Sequence, residues 1–126
     1  MAFGDIGGTV TELVITCQTP ASGTVSIEKG DAVALIGPYT VDNTTDAEDP
    51  VFGQAMAGAA ANDAAIPVKV RGICVWQYTG DAPPVDGATG IVASDQPGKV
   101  KAPQAGAGFG VNLKTDAAQS LVHVLL

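Results

Sequence analysis

The chain is poor in three things at once: aromatic side chains, basic side chains and long apolar runs. Aromatics make up 5% of its 126 residues while apolar residues make up 46%, so the hydrophobic content is mostly Ala and Val. A core of such small side chains predicts a domain that gains stability by assembling with others. Six Lys and Arg are scattered among thirteen Asp and Glu, for a formal net charge of −7. A phosphate-binding surface needs clustered cations, so nucleic acid is not expected as a partner. Lys69 and Arg71 stand close together, but we expect two solvent-facing strand positions there rather than a basic strip. No apolar run approaches the roughly 20 residues of a spanning helix, and no membrane partner is expected either.

Histidine and cysteine are scarce too. His123 is the single histidine, placed in an apolar terminal strand with no acidic neighbour, and reads as an ordinary outward strand residue. A hydrolase needs a nucleophile, a base and a group that orients the base. No GxSxG, HExxH or Walker A sequence supplies them. Gly106-Ala107-Gly108-Phe109-Gly110 is glycine-rich but lacks the spacing of a dinucleotide loop. Enzymatic activity is therefore not expected, and no cofactor is implied. Cys17 and Cys74 sit in the apolar contexts LVITC and GICVW, which predicts buried free thiols acting as small hydrophobes; a disulfide within or between chains is the alternative. Neither has a second Cys or a His at metal-ligand spacing. The start, MAFGDIGG, shows no basic or apolar leader region, so no signal peptide is expected.

What the chain does have is alternation. Around residues 50–75, PVFGQAMAGAAANDAAIPVKVRGICV, the residues Phe52, Gln54 and Met56 alternate with small ones, and Ile66, Val68 and Val70 resume the pattern. Period-two alternation on both sides of an Ala/Asn/Asp turn predicts two paired strands. A similar order recurs over residues 107–126, with Phe109-Gly110 answering Phe52-Gly53 and Val122-His123-Val124 answering Val68-Lys69-Val70. We read this as a weak internal duplication of a hairpin unit.

Thr11 to Cys17, Val25 to Glu28 and Ala32 to Ile36 read as further strands, the last buried, separated by turn residues. Asp42 to Asp49 holds four acidic groups, but Ala47 and Gly53 occupy positions where a calcium loop needs glycine and glutamate. A solvated loop is expected. Trp76 and Tyr78 share one face of a strand, as core wall or interface anchor, with the core favoured for Trp76. Pro97-Gly98 suits the centre of a type II turn between two short strands. The apolar ending VLL predicts a terminal strand paired inside a sheet. The sum is an all-β domain over residues 10–126, a small β-barrel or β-sandwich of short antiparallel strands with long Gly/Pro loops and at most one or two helical turns. Residues 1–9 read as an arm that docks on a neighbour, or as an end without a role.

The succession KGDAVALIG, PVFGQAMAGAAANDAAIPVKVRG, YTGDAPPVDGATGIVASDQPGKV and GFGVNLKTDAAQSLVHVLL resembles the small capsid decoration, or cement, proteins of tailed bacteriophages. The resemblance covers roughly residues 10–126 and is clearest at Gly30-Asp31, Phe52-Gly53, Gly72, Gly98-Lys99 and the terminal VxVLL. It implies a protein made in the host cytoplasm that binds the outer surface of the phage head in the virion, often as a homotrimer. Its partners would be the major capsid protein and copies of itself, and its task to resist the pressure of packaged DNA. No catalytic residue comes with it. Multivalent attachment lets each contact be weak while the lattice gains stability.

Low self-sufficiency and length single out the arm, with Ala2, Phe3, Asp5 and Ile6, and the loop with Thr79, Asp81, Pro83, Pro84, Val85 and Asp86 as the expected contact residues. Two other classes stay open. One is a carbohydrate- or receptor-binding β-module displayed on a particle, using Trp76, Tyr78 and Tyr39 as a platform. The other is a small enzyme whose site is assembled between chains.

Overall fold

The computed structural model describes residues 12–126, and every regular element among them is a β-strand. Strands β1 (Leu13–Gln18), β2 (Ala32–Gly37), β3 (Thr40–Asn43), β4 (Gly53–Ala55) and β5 (Ala65–Arg71) close into a barrel in the order β1-β3-β2-β4-β5. Strands β6 (Ile73–Gln77), β9 (Val111–Asp116) and β10 (Leu121–Leu125) form a second, antiparallel sheet with β10 in the middle. A two-stranded ribbon of β7 (Val92–Ala93) and β8 (Val100–Lys101) lies between β6 and β9 in the chain. The all-β expectation holds, and the terminal strand is paired on both sides. The proposed arm, with Ala2, Phe3, Asp5 and Ile6, lies outside the described residues.

Both hairpins read from the alternation form. In the first, Gln54 pairs with Lys69 and Ala55 with Val68. In the second, a tight connection places Asp116 opposite Leu121. The first belongs to the barrel and the second to the three-stranded sheet. The strand expected at Val25–Glu28 shrinks to one bridge between Ile27 and Ala59. The Pro97-Gly98 turn lies as expected between β7 and β8: Gly98 has φ +75° and the Lys99 N–H donates to the Gln96 carbonyl at 3.2 Å. That turn is docked on the barrel, because Gly98 donates to the Thr44 carbonyl and accepts from the Ala32 N–H.

Two hydrophobic clusters follow from this layout. Inside the barrel, Cys17, Val25, Ile27, Val33, Val41, Ile66 and Val68 pack together. Between the three-stranded sheet and the ribbon, Cys74, Trp76, Tyr78, Ile91, Val100, Val122 and Val124 make the other. Trp76 and Tyr78 are both buried, so the strand face that carries them is a core wall.

Lys69 departs from the sequence expectation. It is buried, not solvent-facing, while its neighbour Arg71 is exposed. The β1–β5 register shifts between Leu13 and Val14, and the bulge breaks the in–out alternation of β5. The Lys69 ammonium is turned to the junction of the two sheets, where it donates to Glu12 Oε1 at 3.1 Å and to the Ile73 carbonyl at 3.0 Å. A buried ammonium needs such partners.

Both cysteines are free and buried, and burial raises both thiol pKa values. Cys74 is pushed up to about 11 by desolvation, with the Lys69 ammonium offsetting part of the rise. A thiol whose folded pKa exceeds its ordinary value of 9.0 contributes stability that is complete below pH 9 and lost as the pH rises toward 11. We therefore expect unfolding midpoints in denaturant to fall across that window, and Cys74→Ala to flatten part of the fall. We also expect both thiols to resist a disulfide reagent at about pH 8 until the chain is unfolded.

Candidate docking surface

Two ion pairs join described residues, Lys69 with Glu12 and Lys101 with Glu48. No group of three or more His, Cys, Asp or Glu among the described residues is placed to hold a metal ion. In the acidic segment Asp42–Asp49, Glu48 binds the Lys101 ammonium at 2.5 Å and the Gln104 N–H at 3.0 Å. The Lys101 hydrogen bond is the chief reason its carboxyl lies below the usual range. A polar cleft of 450 Å³ opens between the barrel, the β7–β8 turn and the three-stranded sheet, with Glu28, Lys29, Asp31, Asn43 and Lys99 in its wall. Burial pushes the Asp31 carboxyl up, and its Oδ2 accepts the Glu28 N–H at 2.9 Å. Such a carboxylate shapes a turn.

The more unusual surface is apolar. At the tip of the β2–β3 hairpin Leu35 is 51% exposed, Ile36 57% and Tyr39 71%. Adjacent residues on a regular strand point to opposite faces, so Leu35 and Ile36 could not both face solvent on one. The β2–β3 register shifts between Leu35 and Gly37, and this bulge presents both. Tyr39 takes φ +51°, a left-handed conformation that costs a residue with a Cβ about 1–2 kcal/mol. The turn is held there because the Gln18 N–H donates to the Tyr39 carbonyl at 2.8 Å and Thr40 Oγ1 donates to the Pro38 carbonyl at 3.0 Å. Beside the tip runs a groove of 360 Å³ lined by Ala34, Leu35, Ile36, Pro50, Val51 and Phe52, with Asp49 at its margin.

The loop expected to make contacts is ordered by its own chain. Thr79 is half-buried, with Oγ1 2.7 Å from Ser94 Oγ, and Pro83 is fully buried. Those two support the loop from within. Asp86 accepts the N–H groups of Ala88 and Thr89 at 3.0 and 2.8 Å and the Thr89 hydroxyl, and these bonds lower its carboxyl pKa. Asn112 Nδ2 donates to the carbonyls of Pro84 and Gly90, both at 2.9 Å. Asp81, Pro84 and Val85 remain exposed.

A carboxylate with a depressed folded pKa contributes order that is present above its ordinary value of 3.8 and lost as the pH falls through the lower one. Asp86→Ala should therefore speed protease cleavage between residues 80 and 90 at neutral pH. Wild-type cleavage rates there should approach the variant's only in strong acid.

Sequence reasoning missed Leu35 and Ile36, which stand in a segment expected to be a buried strand. The available signal was two large aliphatic residues in succession just before Gly37-Pro38, a place where strict alternation ends. The ring platform is not assembled: Trp76 and Tyr78 are inside while Tyr39 is on the surface. No family model and no curated protein sequence matches this chain.

Proposed function

We propose that this protein is a virion structural protein that binds the outside of a bacteriophage head and cements neighbouring major capsid subunits against internal DNA pressure. The reading carries with it the homotrimer and the location on the outer capsid surface, and it assigns the chain no reaction. The single observation that supports it most is the hairpin tip with Leu35, Ile36 and Tyr39 beside an apolar groove. Large aliphatic and aromatic side chains clustered on an acidic surface form the kind of patch that partners cover. The sequence resemblance to cement proteins supplies the partner. Two small cores in place of one large one suit a domain that is stabilised further by attachment.

The test is to add purified protein to expanded heads from a phage lacking it. Saturable binding to regular lattice positions in electron micrographs, with a higher disruption temperature of the filled heads, is the expected result. Heads that stay bare at saturating protein would sink the proposal.

A further inference from the structure

We infer that the open edge of β2 at Leu35 takes up an extended strand of the capsid protein, so that docking proceeds by β-strand addition; this rests on the capsid-binding reading above. β2 pairs with β4 only at Ala32 and Val33. The Val33 carbonyl still accepts from the Phe52 N–H at 2.9 Å, and then the neighbouring chain leaves. Glu48 and Asp49 bond instead to Ala93 of the ribbon, at 3.0 and 2.9 Å. The departure opens the apolar groove between Ala34–Ile36 and Asp49–Phe52.

Backbone groups two residues apart on a strand point the same way. The Leu35 peptide therefore faces the groove as the Val33 peptide faces β4. On its other side β2 is already paired with β3 through Asp42 and Val41. Exposed strand edges are commonly protected by Lys or Pro, yet this one carries Leu35 and Ile36, with Pro38 only at the tip. Backbone pairing would supply affinity, and the groove would seat an apolar side chain of the added strand.

Charge narrows the occupant. Asp49 lines the groove and Asp46 lies in the same exposed segment, and neither makes an ion pair among the described residues. A second copy of this chain, itself at −7, brings little to answer those carboxylates. A capsid-protein segment with alternating apolar side chains and a terminal Lys or Arg does.

The experiment has two arms. Leu35→Lys/Ile36→Lys alters positions that are exposed, so folding is checked by circular dichroism and binding by occupancy on heads lacking the protein. Affinity should drop by about tenfold or more, while Ala105→Lys, on another exposed loop, should bind as wild type. Wild-type occupancy by the double variant overturns the inference and leaves the head-binding reading standing. Failure of the wild type to bind removes both.

In the second arm, overlapping synthetic peptides covering the capsid protein are bound to wild-type protein, then remade with alternate backbone nitrogens methylated. β-strand addition predicts one basic, apolar-alternating peptide that loses binding on methylation and weakens with salt. Binding indifferent to methylation, or no peptide binding at all, refutes strand addition even if the double variant fails to fold.

Discussion

Gly53→Ala should destabilise the protein by about 3 kcal/mol, lowering the thermal midpoint by about 10 °C. Gly53 opens β4, close against β5. A Cβ there would collide with the carbonyl oxygen of Lys69 and lie 2.8 Å from Val68 Cγ1. Lys69 belongs to β5, the direct neighbour of β4, so relief requires separating two paired strands. Rotating one side chain will not suffice. The control is Gly23→Ala, whose φ of +87° is strained for alanine but whose Cβ would meet nothing within 4 Å; about 1 kcal/mol is expected there. Equal costs for the two variants in urea unfolding would mean that close strand approach is not what fixes this glycine.

Trp76→Ala should be the most damaging single change to the second core, at about 4 kcal/mol. Trp76 heads the fully buried side chains by size, and on β6 it stands opposite Val122 of β10. The rest of its cluster is mostly Val and Ala, which have little reach with which to close the void its removal leaves. Trp76→Phe should behave quite differently. The indole Nε1–H is buried with no hydrogen-bond partner among the described residues, so phenylalanine gives up apolar contact but removes that donor. A net loss of about 1 kcal/mol or less is expected. Guanidinium titrations of the two variants decide it. A phenylalanine variant as unstable as the alanine one would place a bridging group on that nitrogen.

Much of this fold was legible because its strands alternate. Residues 52–56 and 66–70 carry the period of a half-buried strand, and the hairpin they predict is the one that forms. Trp76 and Tyr78, two apart, fell on one buried face for the same reason. Legibility failed where a bulge interrupts the period. Lys69 went inside because β5 slips against β1, and Leu35 with Ile36 came outside because β2 slips against β3. A bulge depends on the partner strand's path, which a linear sequence states only after the pairing is known. The segment from Thr79 to Gly90 is a loop, as expected. Its internal wiring through Asp86 and Asn112 depended on residues brought together from distant positions.

Barrel closure on the β1 side has a mechanical corollary. β1 meets β3 at a single position, Gln18 opposite Thr40, whereas it meets β5 along its whole length. Tension applied through the hairpin tip would be borne first by that lone rung, and the staves would part there while the rest held. The seam is thus the compliant joint of the barrel, set between a single rung on one flank of β1 and a full ladder on the other.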